Sequence, residues 1–113
     1  MSLDIYLKRR EPVVVFEENI THNLGLMAKE VKVSNGWTLY QMMWHPDEIG
    51  VTKAEQLIEP LREAHTIMIR DQARLEQFNP ANGWGNYENL HDTVQQYLNA
   101  CIRHPDAVVE VSR

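Results

Sequence analysis

The period of the apolar pattern changes twice along the chain, and that change limits the fold more than any other feature. Leu3, Ile5 and Leu7 alternate with Asp4 and Tyr6, and Val13-Val14-Val15-Phe16 is apolar and mostly β-branched. After the Pro105-Asp106 break, Ala107, Val109 and Val111 alternate with Val108, Glu110 and Ser112. A two-residue period marks strands. Lys8-Arg9-Arg10-Glu11-Pro12 is a polar connection with proline at the second strand's edge, so the first two strands form a hairpin. Both ends of the chain then join one antiparallel sheet, and everything between them follows a helical period. The chain's 113 residues leave room for one core, so residues 1–113 are read as one domain. The fold class is α+β: a small antiparallel sheet, N-terminal hairpin plus C-terminal strand, covered on one face by about four helices.

The helical stripes are explicit. Ile20, Leu24, Met27, Ala28 and Val31 recur at offsets 0, 4, 7, 8 and 11, with Thr21 as N-cap, until Ser34-Asn35-Gly36 interrupts them. Trp37, Tyr40, Met43 and Trp44 fit a short second helix, although Trp-Thr-Leu-Tyr is also good strand sequence. Thr52-Lys53-Ala54-Glu55 reads as a capping box opening a third helix, whose stripe from Ala54 to Met68 stays in phase across Pro60. A continuous helix kinked at the proline is expected, ending at Asn79-Pro80. A fourth begins near Asn86 and places Tyr87, Leu90, His91, Val94, Tyr97, Leu98 and Cys101 on one face. Tyr6, Val14 and Phe16 cannot all turn inward with Leu3, Ile5 and Leu7. Part of the second sheet face is therefore expected to be apolar and covered by a homodimer partner.

Composition excludes several classes. Eleven Lys and Arg against sixteen Asp and Glu give a net charge of −5, which argues against duplex nucleic acid or an anionic membrane as partner. The single thiol, Cys101, makes neither an intramolecular disulfide nor a Cys-rich zinc site. No basic-then-apolar leader opens the chain and no apolar run approaches the ~20 residues of a membrane span, so a cytoplasmic location is expected. Neither G-x-G-x-x-G nor G-x-x-x-x-G-K-[ST] occurs, none of the five His pairs as H-x-x-x-H or H-E-x-x-H, and G-x-S-x-G is missing. No cofactor, metal ligand or catalytic residue is expected.

Three polar segments carry what chemistry there is. Asn19-Ile20-Thr21-His22-Asn23 sits at a strand-to-helix junction, where free backbone N–H groups suit a phosphate or carboxylate; alternatively Thr21 only caps and the asparagines only fix the turn. Trp44-His45-Pro46-Asp47-Glu48-Ile49-Gly50 sets an aromatic ring beside two carboxylates, a lining for a sugar or base, or else a packed Trp44 beside solvated acids. In Phe78-Asn79-Pro80-Ala81-Asn82-Gly83-Trp84-Gly85-Asn86-Tyr87, two glycines flank Trp84 and the loop feeds a helix N-terminus. Trp84 there either stacks on a ligand or plugs the core. His65 and His91, on the apolar stripes of their helices, converge on a polar pocket or sit as hydrogen-bonded core histidines.

Taken together, Asn19-Ile20-Thr21-His22-Asn23-Leu24, Met27-Ala28, Trp44-x-Pro46-Asp47-Glu48-Ile49-Gly50, Phe78-Asn79-Pro80-x-Asn82-Gly83-Trp84-Gly85-x-Tyr87 and Glu110-Val111-Ser112-Arg113 resemble a family of small bacteriophage and bacterial proteins of unassigned activity. The likeness spans nearly the whole chain. It departs in a longer Val31–Met43 stretch and in His45, which stands where an arginine is expected and puts a phosphate contact there in question. The resemblance implies a phage or prophage setting, in the host cytoplasm, and an anti-defence role by sequestration or docking. The leading expectation is non-enzymatic binding of a nucleotide-like or sugar-containing small molecule, such as a host immune signal. Its ligand residues would be Thr21, His22, Asn23, Trp44, Asp47, Glu48, Asn82, Trp84, Tyr87 and His91. The alternatives are a protein-interaction module docking on a host protein, and a small hydrolase or transferase using Glu48 or His22.

Overall fold

Strand β1 (Ser2–Lys8) takes the centre of the sheet because its alternation is the cleanest: Leu3, Ile5 and Leu7 are wholly buried. A computed structural model describes residues 1–9 and 13–113, so Arg10, Glu11 and Pro12 of the expected hairpin connection lie outside the described residues. β1 pairs antiparallel with β2 (Val14–Thr21) on one side and with β3 (Val108–Ser112) on the other, giving the order β2-β1-β3. Leu3 stands opposite Ile20, and Leu7 opposite Phe16 and Val109, so one sheet face is apolar. Among the described residues five α-helices accompany the sheet, and the class is α+β, as the periodicity implies.

β2 runs past the apolar stretch Val13–Phe16 to Thr21, because Glu17 to Ile20 keep alternating. Ile20 is thus a buried strand residue rather than the first member of a helical stripe. Leu7 pairs with Phe16 and Lys8 with Val14, which makes Val15 an extra, bulged residue. The bulge lets Phe16 face inward, where it stacks on Tyr97 with centroids 6.0 Å apart.

The outer sheet face is polar along most of its length. It carries Ser2, Asp4, Tyr6 and Lys8 of β1, with Glu17 and Asn19 beside them. Asn19 Nδ2 donates to Ser2 Oγ (2.9 Å) and Asp4 Oδ1 (2.7 Å), and Lys8 pairs with Glu110. The same face exposes two apolar side chains, Val14 and Val108, on either side of Lys8.

The helices follow from their caps. Thr21 Oγ1 accepts from Asn23 N (3.3 Å) and opens a 3₁₀ turn, His22–Leu24, which leads into α1 (Gly25–Lys29). A capping box between Thr38 and Gln41 starts α2 (Leu39–Trp44) and decides that segment for helix. The next start lies one residue later than Thr52-x-x-Glu55 implies. Gln56 Oε1, not Glu55, accepts from the Thr52 (2.7 Å) and Lys53 (2.9 Å) amides, and a 3₁₀ turn Ala54–Leu57 runs into α3 (Ile58–Arg70). Pro60 then falls in α3's first turn, where no N–H is required, and the expected kink has no cause.

α3 ends at Arg70 rather than at Asn79-Pro80. Asp71 holds Arg70 and Arg74, and α4 (Gln72–Glu76) follows. Hydrogen bonds from Arg70 and then Arg74 hold the Asp71 carboxyl at about 2. α5 (Tyr87–Arg103) starts where expected, with Asn86 as its N-cap, and packs against both α3 and β2. It buries Tyr87, Leu90, Val94, Tyr97, Leu98 and Cys101, while His91 is only half-buried. Burial pushes the Cys101 thiol up to about 12. Among the described residues, no helix is long and apolar enough to cross a membrane.

Candidate functional site

A cleft of about 370 Å³ opens between the C-terminal half of β2 and the first half of α5. Glu18, Asn19 and Thr21 line it from the strand, Asn89, Asp92 and Gln96 from the helix, and Trp84 from the loop before α5. The Trp84 loop is held from below. Asn82 Oδ1 accepts from Trp84 N (2.9 Å), and Asn79 Oδ1 accepts from Tyr87 N (2.8 Å). Gly85 has φ of +96°, and a Cβ there would lie 2.9 Å from Thr21 Cγ2 and 3.0 Å from Leu24 Cγ. Only glycine both accepts that backbone angle and lets the loop close onto the strand-to-helix corner. The Trp84 side chain is nevertheless left in solvent, 68 % exposed.

The electrostatics of the cleft are one-sided. Glu18 and Asp92 contribute two carboxylates, and none of its lining residues is Lys or Arg. Nor do the helix starts offer the anion site that the sequence hints at. In α5, Tyr87 N and Asn89 N already donate to Asn79 and Asn86 side chains. At the other corner, Asn23 N donates to Thr21 and His22 N to Met1 O (3.3 Å). With these amides used internally, the dipole-based attraction for a phosphate has few donors left through which to act.

The expected site residues divide into separate groups. Thr21 and Trp84 line the cleft, and Asn82 supports Trp84 from behind. Asn23 spends its amide on the Thr21 cap. His22 turns the other way: its Nδ1 accepts from Trp44 Nε1 at 2.8 Å, which requires that nitrogen to be unprotonated. Trp44 is only 2 % exposed and stacks on Tyr40 (5.3 Å), so it has no ring face to offer a base. Asp47 accepts from Arg113 (3.1 Å), which also donates to Trp44 O (2.8 Å); the bond to Asp47 lowers its carboxyl. Glu48 Oε2 lies 3.0 Å from His45 Nδ1, close enough to pair as ions but misaligned for a hydrogen bond, while His45 Nε2 meets Tyr40 OH at 3.1 Å.

Tyr87 is buried, its hydroxyl donating to Met68 O (2.7 Å), and burial raises its phenol. His91 stands between Tyr87 and His65, whose ring centroid is 4.8 Å away; desolvation, then the neighbouring His91, lowers His65. The Trp44–Glu48 segment and the His65–His91 pair therefore belong to packing networks outside the cleft. Conversely, sequence reading missed Glu18, Asn89 and Gln96. A signal existed: Asn89, Asp92 and Gln96 follow α5's helical period on the flank of its apolar stripe, and Glu18 precedes Ile20 by one strand repeat. Among the described residues, no three His, Cys, Asp or Glu side chains converge to hold a metal ion. Comparison of the chain with family models, with curated proteins and with solved structures finds no match.

Proposed function

We propose that the chain is a non-enzymatic binding protein and that the cleft lined by Trp84 is its site. One observation carries this reading: a tryptophan left 68 % exposed beside a concave polar surface, on a loop clamped from beneath. Tryptophan in a folded chain is ordinarily covered, and an uncovered ring beside a pocket serves to stack a flat or cationic group. The lining selects further. Two carboxylates and several amide and hydroxyl oxygens accept hydrogen bonds, so the favoured occupant is rich in donors and neutral or cationic. Of the nucleotide-like or sugar-containing ligands expected from the sequence, the ring and its hydroxyls suit this surface better than a phosphate does. In a phage setting such binding would act by sequestration.

A thermal-shift panel of sugars, nucleosides, amino-acid amides, nucleotides and cyclic dinucleotides tests the reading. A ligand at a hundred times its Kd adds about 2.7 kcal/mol, a shift of several degrees in a domain of this size. Neutral or cationic members should raise Tm in the native protein and not in Trp84→Ala, which should fold with little change of its own. A panel without any shift, or shifts that survive Trp84→Ala, would sink the proposal.

A further inference from the structure

The cleft does not end at Gln96. A second cavity of about 260 Å³ shares that residue and continues along β2 past Val15 and Phe16 to Arg103 and His104 at the far end of α5. The two lie end to end between β2 and α5 and meet at Gln96, so that together they follow β2 from Val15 to Thr21. The outer edge of β2 has unspent main-chain groups. Asn19 N–H points away from β1, its sole partner being the Glu18 side chain at 3.4 Å. Because strand amides alternate in direction, Glu17 N–H shares that outward orientation. Among the described residues, no strand or bridge pairs with this side of β2.

Charge along the groove is polarised. Glu18 and Asp92 mark the Trp84 end, and Arg103, which pairs with no acid among the described residues, marks the other. A strand antiparallel to β2 begins at β2's C-terminal end. Its amino terminus then falls at the acidic end and its carboxyl terminus at Arg103, so terminal charge and ladder geometry favour the same direction. A second copy of β2 is disfavoured as occupant, because Glu17 and Glu18 would meet their own counterparts.

We propose that this groove takes an extended peptide by strand addition, antiparallel to β2, with a cationic first residue at Trp84 beside Glu18 and Asp92 and an acidic last residue beside Arg103. The inference rests on reading the Trp84 cleft as a binding site. From Val15 to Thr21, at ~3.3 Å per residue, the edge accommodates a peptide of about seven residues. Main-chain bonds to β2 supply affinity, and alternate side chains entering the groove supply selectivity.

The probe is a pool of heptapeptides with lysine fixed first, glutamate fixed last and the five central positions randomised without proline. It is compared with the same pool with its two ends exchanged, and with a pool carrying proline at every second position. The first pool should bind the native protein, slow hydrogen exchange at the Asn19 and Glu17 amides, and bind at least tenfold more tightly than either of the others. Asp92→Lys combined with Arg103→Glu, both changes at exposed or rim positions, should invert the preference between the two end-charged pools. Equal binding of those two pools, or undiminished binding of the proline pool, overturns the inference. So does absence of peptide binding when sugars or nucleosides still give a Trp84-dependent thermal shift, an outcome that leaves the cleft a site and removes only the peptide. Absence of both removes the cleft as well.

Discussion

The two outer edges of the sheet are treated in opposite ways. β3 is covered at its start: Val109 N donates to Thr52 O (2.9 Å), Lys53 bridges to Val108, and Ala54 N donates to Ala107 O (2.9 Å). The segment leading into α3 lies against the first part of that edge and consumes its main-chain groups there. β2 faces a groove, and the Asn19 amide has only a weak, neighbouring side-chain partner. An unpaired edge is a liability that folded chains usually cover, blunt or charge. Here one edge is covered along its first part and the other is charged, by Glu17 and Glu18, which discourages self-pairing while leaving the ladder open to a partner of opposite sign.

Proline substitution breaks this comparison most directly. Val109→Pro deletes the bond to Thr52 and should cost about 3 kcal/mol in a urea unfolding curve, whereas Asn19→Pro, whose amide faces outward, should cost about 1 kcal/mol, mainly through its lost side-chain bonds to Ser2 and Asp4. Equal losses would mean that β2's edge is not free. Next in size is Gly85→Ala, at about 2–3 kcal/mol, because the added methyl meets Thr21 and Leu24 and the backbone angle is positive. Gly83→Ala, at φ of +76° with open space around it, should lose only about 1 kcal/mol. Were the two alike, packing of the Trp84 loop onto the corner would not be what Gly85 serves.

A smaller effect of opposite sign lies beneath the open edge. The Tyr97 hydroxyl is buried under Phe16 without a partner among the described residues, so Tyr97→Phe should raise stability by about 1 kcal/mol. A loss in its place would show that the hydroxyl is satisfied. The smallest expected change concerns pH, far from both edges. Asp71 is held at about 2, against 3.8 ordinarily, so its contribution is full above the ordinary value and disappears as pH falls through about 2. Comparing urea midpoints of the native protein and Asp71→Asn at about pH 5 and about pH 2, the gap should close at the lower pH; a constant gap would contradict the assignment.

How much of this was legible beforehand depended on the range of the interaction. The Asn86 cap, the α5 stripe and the three strands were readable because caps and periods act over a few residues. The Thr52-Glu55 box failed by one position because Gln56 competes for the same amides and wins. Trp84 is legible as a site candidate from its flanking glycines, whereas Trp44 reads either as the lining of a site or as a packed ring beside solvated acids. What separates them is their cover: Tyr40 on the same helix and His22 from a distant corner cover one ring, and the other is left 68 % exposed.

By itself, then, the sequence determined a three-stranded antiparallel sheet with helices on one face, since alternation and helical stripes are local and each must bury its apolar side. It also determined that any site would lie among few polar segments. Only the tertiary structure decided which of those segments meet. The corner at Thr21 joins Trp84 and the flank of α5 because Gly85 permits close approach, while the Trp44–Glu48 turn is drawn off by Arg113 at the opposite end of the chain. Contacts between residues so distant in sequence depend on how packed elements exclude one another in space, and no local pattern encodes that.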